Sequence, residues 1–400
     1  MFVNGGAYHR VAAHSIKVLA GGTASSAASL GLSLLLILWM DAFKVPRQLR
    51  LIKVPENDMS IVMNTHRSGW FTMIALLFGF ALMQCANATA STSGKIVAEE
   101  YWAHKGNVKL WVYRKQLDDG IKDKPLLFLV HGSSYSGKTM FDLSVPNRTD
   151  YSFMEHFARL GYDVWTMDHE GYGHSDRTKS ISDIQSGVED LTAAMAVVKK
   201  VTGKSKAAFF GQSSGALRAG RFANFHPENV DKLIVDAFVW TGKDAPTLKQ
   251  RALRLPELLK SNVRKVDAKF YKSVFTRDHP GAAEPMLGDV VAEAELKYGD
   301  TVPNGTYIDM VTKLPLVDPE KVLCPVLIVR AEHDGIATDE DIMGFYAKLP
   351  NPDKQMTKLA GLAHTAFLGV NRQRFWHAVH AFLTIPPRVD LSAGTTPVAH

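Results

Sequence analysis

The sequence predicts an α/β fold: a mostly parallel, doubly wound sheet with a helical cap inserted after the sixth strand. Three observations support this prediction. Short β-rich segments alternate with amphipathic helical segments over residues 91–385, a Gly-x-Ser-x-Gly pentapeptide joins one predicted strand to the next helix, and residues 241–321 interrupt the alternation. Strands that alternate with helices are typical of a parallel sheet that carries helices on both faces.

Apolar runs and helical periodicity place the individual elements. The predicted strands cover residues 95–103, 108–114, 126–130, 163–168, 207–211, 233–239, 326–330 and 355–359. The predicted helices cover residues 151–160, 181–201, 214–225, 340–349 and 373–383. We expect the first two strands to form an antiparallel hairpin at one edge of the sheet.

Residues 241–321 predict a helical cap. Helical patterns cover residues 248–259, 266–275 and 287–298, and a structureless loop of this length is uncommon in a compact domain. Ligands of open α/β sheets bind at the carboxyl ends of the strands. We therefore expect the cap to lie over that edge and to shape a substrate pocket. Residues 386–400 lack periodicity and are expected to form a C-terminal tail.

Composition and charge indicate a globular protein that does not bind nucleic acid. Hydrophobic residues make up 46% of the chain and charged residues 22%, as in ordinary globular proteins. The formal net charge is +6, of which residues 1–90 carry +4 and the rest of the chain only +2. Because the predicted catalytic part is close to neutral, no nucleic-acid partner is expected. The chain has two cysteines, Cys85 and Cys324, and we expect no structural disulfide between them. The sequence does not predict the oligomeric state.

Residues 1–90 predict export of the catalytic domain. In one interpretation Met63 starts a signal peptide, with a basic region at Arg67, an apolar core at residues 70–83 and cleavage sites at residues 86–90. In the other, residues 30–40 and 70–83 belong to two membrane-spanning helices joined by a basic cytoplasmic loop. The first gives a periplasmic or secreted protein. The second gives a membrane-associated protein with its catalytic domain outside.

The pentapeptide Gly211-Gln212-Ser213-Ser214-Gly215 lies between the fifth predicted strand and the helix that follows it. A strand, G-x-S-x-G and a helix are the context of a nucleophile elbow. Ser213 is therefore the predicted nucleophile. The N–H of Ser214, at the start of the helix, is predicted to stabilise negative charge that develops on the substrate.

A serine nucleophile needs a base, and the base needs an acid that orients and stabilises it. His364 follows the last predicted strand across a loop of small residues and is the predicted base. Asp334, just after the preceding strand, is the first candidate for the acid, and Glu332 is the second. Asp236 ranks third because it falls inside the predicted sixth strand.

The third predicted strand ends at His131-Gly132, and the glycine lets the chain bend. The N–H of Ser133 is therefore predicted to be the second oxyanion donor, beside that of Ser214. His131 is interpreted as a structural residue of this loop. The candidate substrate-binding residues are Ser134, Tyr135, Gln212 and Trp240.

No metal and no cofactor is predicted. His169, Glu170 and His174 are close in sequence, but they lie on a predicted loop and lack the H-E-x-x-H spacing of a metal-binding helix. We interpret this segment as structural.

Taken together, these motifs resemble the α/β-hydrolase superfamily over about residues 95–385. The matching features are His131-Gly132, the D-x-x-G-x-G-x-S segment at 168–175, the Ser213 elbow, Asp334 and His364, whereas Ala331 departs from a glycine that many members have. The resemblance implies a serine hydrolase that acts on a small-molecule carboxylic ester. Amide, thioester and carbon–carbon bond cleavage at the same site, and non-catalytic binding, remain alternatives because one fold hosts many functions.

Overall fold

The computed structural model describes residues 94–389. The predicted signal peptide or membrane segments and residues 390–400 of the predicted tail lie outside the described residues. Across residues 94–389, no helix is both long enough and apolar enough to cross a membrane.

One eight-stranded sheet forms the centre of the fold, with strand order β1-β2-β4-β3-β5-β6-β9-β10. Its strands are β1 (Lys95–Lys105), β2 (Val108–Asp118), β3 (Leu126–Val130), β4 (Asp163–Met167), β5 (Ala207–Gln212), β6 (Val230–Asp236), β9 (Val326–Ala331) and β10 (Lys354–Leu359). The pairs β1–β2 and β2–β4 are antiparallel, and every other neighbouring pair is parallel. The predicted mostly parallel sheet with an antiparallel edge hairpin is confirmed.

Helices cover both faces of this sheet. The main ones are α2 (Phe153–Arg159), α3 (Ile184–Thr202), α4 (Ser214–Phe225), α10 (Asp339–Lys348) and α11 (Arg372–Leu383), and a short helix α1 (Gly137–Phe141) follows β3. Helices α3, α4 and α10 pack into one apolar cluster, and α2 and α11 pack into the other.

Strand β3 shows why the sheet is buried on both sides. Phe128 belongs to the first apolar cluster, and its neighbours Leu127 and Leu129 belong to the second. Successive side chains of a strand point to opposite faces. A strand covered on both faces is therefore apolar at every position, as β3 is.

Strand β6 lies three residues earlier than predicted, at Val230–Asp236 instead of 233–239. The strand begins with Val230, Asp231 and Lys232. Because two of these residues are charged, the apolar run by which we predicted the strand starts only at residue 233. Phe238 is buried beyond the strand and packs on Phe345 of α10, with ring centroids 4.7 Å apart. As a result, Asp236 ends the strand and reaches the carboxyl edge of the sheet.

Between β6 and β9 the chain forms five α-helices and a small ribbon, followed by a short 3-10 helix at Pro319–Lys321. These elements are α5 (Pro246–Leu253), α6 (Leu255–Leu258), β7 (Val263–Lys265), α7 (Ala268–Thr276), α8 (Leu287–Leu296), β8 (Thr301–Pro303) and α9 (Gly305–Thr312). Strands β7 and β8 pair antiparallel. The sequence did not predict the ribbon or α9, because three-residue strands and an eight-residue helix give little periodicity.

Polar contacts attach this cap segment to the loop after β3. Glu295 of α8 accepts hydrogen bonds from the N–H and the Oγ of Ser136, at 2.9 and 2.7 Å. Burial raises the pKa of Glu295 to about 7. The hydroxyl of Tyr271 donates to the carbonyl of Ser134 at 3.2 Å. These contacts place side chains of the cap above the turn that carries Ser213.

Candidate active site

Ser213 lies in the sharp turn between β5 and α4. Its backbone has φ 55° and ψ −122°, a conformation that residues other than glycine rarely adopt. The N–H of Ser213 donates to the carbonyl of Asp236 at 2.9 Å, which holds the turn against the neighbouring strand. A Cβ on Gly215 would lie 2.1 Å from the carbonyl oxygen of Val130. Only glycine therefore allows α4 to begin this close to β3.

The structure brings His364 and Asp334 together. Nδ1 of His364 lies 2.9 Å from Oδ1 of Asp334, and the nitrogen is the donor because a carboxylate only accepts. The same carboxylate oxygen accepts from the N–H of Ile336 at 3.0 Å. Burial opposes ionisation of Asp334, but the adjacent His364 and the bond from Ile336 lower its pKa below the usual value. Asp334 is thus a carboxylate that holds one ring nitrogen of His364.

Ser213 and His364 line the same narrow cavity beneath the cap. Both side chains are buried, as is Asp334 behind the histidine. The residues that line this cavity are Ser133, Ser134, Tyr135, Gln212, Ser213, Arg251, Val274, Arg277, Tyr307 and His364.

Ser133 and Ser214, the two residues predicted to stabilise an oxyanion, are held together by their hydroxyls. The Oγ atoms lie 2.8 Å apart, and Ser133 Oγ is also 2.7 Å from Oγ1 of Thr306 in α9. Among residues 94–389, no group accepts a hydrogen bond from the N–H of Ser133 or from that of Ser214. Both donors remain available at the turn of Ser213. Sequence reasoning missed Thr306, which lies far away along the chain.

Three of the candidate substrate-binding residues reach the cavity. Gln212 donates from Nε2 to the backbone carbonyl of His364 at 3.0 Å. The Oγ of Ser134 accepts from Arg264, which attaches the cap. The hydroxyl of Tyr135 is buried and has no hydrogen-bond partner among the described residues.

Trp240, the fourth candidate substrate-binding residue, does not line this cavity. Its backbone N–H donates to Asp341 at 2.9 Å, and its ring packs near Phe345 of α10. It lines another pocket, together with Pro315 and Lys348. The reason is the early end of β6, which carries the chain away from the cavity before residue 240.

The two other candidate acids make no contact with His364. Glu332 accepts from the N–H of Gly361 at 2.8 Å and its side chain is 43% exposed. Asp236 is fully buried, and neither of its carboxylate oxygens has a hydrogen-bond partner among the described residues. Burial and the nearby charge of Asp334 raise the pKa of Asp236 well above its usual value. Both effects favour the neutral form of Asp236.

Basic residues of the cap are the part of the cavity that the sequence did not predict. Arg251 lies in α5, Arg277 follows α7, and Tyr307 lies in α9 between them. The guanidinium carbons of Arg251 and Arg264 stack on the ring of Tyr307, 4.1 and 3.9 Å from its centroid. These three cavity residues come from separate elements, so no local sequence motif predicts that they lie together. Only the folding of the cap assembles them.

The charges of these arginines act on Tyr307. Burial alone would raise the pKa of this phenol, but Arg251, Arg264 and Arg277 lower it to about 7. Burial lowers the pKa of Arg251 to about 10, so that its side chain remains a cation at neutral pH.

Two groups of residues could be considered as metal ligands. Within the described part of the chain, ligand atoms of Asp278, Asp334 and His364 lie within 4.8 Å of one another. Asp278 is also ion-paired with Arg277 at 3.1 Å. The second group is the segment with His169, Glu170 and His174, which are close in sequence. Nδ1 of His169 hydrogen-bonds Asp190 at 3.0 Å, and Glu170 forms an ion pair with Lys105 at 2.7 Å, so both side chains are engaged within the protein.

Comparison with known proteins gives the family. The sequence model of a family described as "Serine aminopeptidase, S33" matches residues 146–369, more than half of the chain. No curated protein sequence matches the chain.

Solved structures with the same fold have several activities. An esterase from Exiguobacterium antarcticum has 17% identity and a TM-score of 0.53, over 72% of this chain and 100% of its own. A 2-hydroxy-6-oxo-6-phenylhexa-2,4-dienoate hydrolase from Rhodococcus sp. strain RHA1 has 16% identity and a TM-score of 0.53, over 72% and 98%. An epoxide hydrolase from Vigna radiata has 16% identity and a TM-score of 0.54, over 72% and 97%. At these identities the likeness establishes the fold alone.

Proposed function

Because the chain belongs to the serine aminopeptidase (S33) family and has the α/β-hydrolase fold, we propose that it cleaves carboxylic esters through an acyl-enzyme on Ser213. The observation that carries this proposal is that His364 lines the same cavity as Ser213 and is hydrogen-bonded to Asp334. A hydroxyl, an imidazole and a carboxylate are the set that serine acyl transfer requires.

The proposed reaction has two steps. In the first, His364 takes the proton of Ser213 while the serine oxygen attacks the ester carbonyl. The histidine then gives that proton to the leaving alcohol, and the acyl group stays on Ser213. In the second, His364 takes a proton from water, the hydroxide attacks the acyl carbon, and the serine recovers its proton as the acid leaves. Asp334 orients the imidazole and stabilises its cationic form throughout.

The N–H groups of Ser133 and Ser214 are the proposed oxyanion donors. Negative charge forms on the carbonyl oxygen during each attack, and preorganised N–H groups stabilise it. Two features support this role. Both N–H groups lack acceptors among residues 94–389, and the hydroxyl chain from Thr306 through Ser133 to Ser214 fixes their relative position.

Amide hydrolysis is the second candidate, since the matching family is described as a serine aminopeptidase. An aminopeptidase must bind the ammonium group of a peptide N-terminus near the scissile bond. Arg251 and Arg277 line this cavity, and Asp278, the acid beside Arg277, is already ion-paired with it. Like charges repel in a buried site. The cavity therefore favours an ester whose acyl part carries no ammonium group.

The experiment that tests the proposal traps the acyl-enzyme. The full chain is treated with a fluorophosphonate and with a panel of activated esters, and Ser213→Ala is the matched variant. We expect labelling of Ser213 in the wild type and a loss of turnover of about 10⁶-fold in the variant if the three residues act as a unit. Full ester turnover by Ser213→Ala would refute the proposal. Faster cleavage of aminoacyl amides than of esters would favour the second candidate.

A further inference from the structure

The arginines of the cap raise the question of what they bind. Arg251 is 8% exposed, and a buried cation is costly unless an anion or several acceptors surround it. Its guanidinium donates one weak hydrogen bond, to the Sδ of Met310 at 3.4 Å, and stacks on Tyr307. Among residues 94–389, no aspartate or glutamate forms an ion pair with it. Arg251 lines the cavity of Ser213, and its guanidinium has further N–H groups that donate to no carboxylate among the described residues.

Arg277 is similar. Its Nε–H donates to Asp278 at 3.1 Å, which leaves both Nη groups without a carboxylate among the described residues. Arg264 differs from these two, because its Nη atoms are used by the carbonyl of Pro303 and the hydroxyl of Ser134. Arg264 therefore supports the cap, whereas Arg251 and Arg277 line the cavity.

We propose that Arg251 and Arg277 bind a carboxylate of the substrate beside Ser213. This inference deepens the ester hydrolase proposed above and rests on it, because it names the substrate class: an ester that carries a free carboxylate close to the scissile carbonyl. Arginine suits this role, since its planar guanidinium can donate two parallel hydrogen bonds to a carboxylate.

Two further observations agree with this assignment. The hydroxyl of Tyr135, buried in the same cavity, has no partner among the described residues and is free to donate to the same anion. In addition, Arg251, Arg264 and Arg277 lower the pKa of Tyr307, so their combined charge favours an anion in this part of the cavity. A neutral ester would leave Arg251 without a carboxylate partner among the described residues and Arg277 with Asp278 alone.

The test compares two matched esters with the full chain. One is a para-nitrophenyl half-ester of malonate, succinate or glutarate, which has a free carboxylate. The other is the same compound with that carboxylate methylated. We expect the wild type to prefer a half-ester, and Arg251→Gln and Arg277→Gln each to lower its kcat/KM by about 10–100-fold, the range for a hydrogen bond to a charged group. Turnover of the methyl ester should fall much less than that of the half-ester, and the Tm of each variant reports that it folds.

The matched control is Arg254→Gln, an arginine of the same segment whose side chain is 50% exposed and pairs with Glu257. It should leave both esters unchanged. If the wild type hydrolyses both esters equally, or if Arg254→Gln has the same effect as Arg251→Gln, the inference is overturned while the ester hydrolase stands.

A binding measurement keeps the inference testable without turnover. Free malonate, succinate and glutarate are added to wild type, Arg251→Gln and Arg254→Gln, and the Tm is followed. A ligand that binds only the folded state raises the Tm. We expect an increase in wild type and Arg254→Gln and none in Arg251→Gln. If neither ester is hydrolysed and the fluorophosphonate labels nothing, the proposed function fails, and the Tm then decides whether the anion site exists.

Discussion

Gln212 donates its side-chain amide to the backbone carbonyl of His364 across 3.0 Å. This contact joins the residue before Ser213 to the loop that carries the base, although the two are 152 positions apart. The hydrogen bond therefore helps to set how the imidazole faces the serine hydroxyl. Gln212 acts through His364 and is a positioning residue.

We predict that Gln212→Leu lowers kcat by about 10–100-fold, because a misplacement of about 1 Å costs on this scale. KM should change little, since the leucine removes a contact within the protein. Steady-state kinetics on an activated ester measures the split. Gln355→Leu, at an exposed position of β10, is the control and should match the wild type. A rise in KM alone would assign Gln212 to substrate binding instead.

Asp334 and Asp236 provide a second comparison. Asp334→Asn should lower kcat by about 10⁴-fold, because an amide no longer fixes and stabilises the imidazole as the carboxylate does. Asp236→Asn should leave kcat within a few-fold, because Asp236 makes no hydrogen bond to His364 and its raised pKa favours the neutral form. Equal losses in the two variants would show that Asp236 takes part in catalysis.

The same pKa shift predicts a change in stability. An acid with a raised pKa in the folded state destabilises that state above the pKa of the unfolded chain, where folding must bind a proton. Asp236→Asn should therefore raise the free energy of unfolding at neutral pH, and the difference from the wild type should shrink in acid. Urea unfolding at several pH values measures this difference, and a destabilised variant at neutral pH would contradict it.

Gly132 is predicted to tolerate no side chain. A Cβ at this position would lie 2.6 Å from Oε1 of Gln212 and 3.2 Å from Cβ of Ser213. Gly132→Ala should therefore shift the loop of Ser133 and lower kcat by at least about 100-fold, the typical effect of losing one oxyanion donor. Gly120→Ala is a glycine-to-alanine control outside the cavity; its φ of 78° strains the backbone there, so it reports the effect of such strain away from Ser213. Normal turnover by Gly132→Ala would show that the loop can adjust.

Tyr307 predicts a pH effect that depends on the substrate. Its pKa of about 7 means that a phenolate forms above this pH and competes for Arg251 with a substrate carboxylate. The kcat/KM for the half-ester should therefore fall relative to that for the methyl ester as the pH rises through about 7. Tyr307→Phe should remove this fall. The ratio of the two esters cancels every pH effect that both share, and a ratio independent of pH in the wild type would contradict the prediction.

Local sequence predicted much of the fold and most of the candidate site. Helix α4 begins and ends at the predicted residues, because a nucleophile elbow fixes its start. Strands β3 and β5 were clear because a strand buried on both faces is apolar throughout. Glu332 and Asp334 were both candidates on spacing alone, and the distance to His364 separates them.

The sequence by itself determined the alternation of strands and helices and the positions of Ser213, Asp334 and His364, because each of these depends on a few neighbouring residues. The tertiary structure decided which side chains meet across the chain. It buried Asp236 at the end of β6, directed Trp240 away from the cavity, and assembled Arg251, Arg277 and Tyr307 around Ser213. Contacts between distant segments depend on how the cap packs on the sheet. The hydrophobic periodicity of a short sequence segment does not predict that packing.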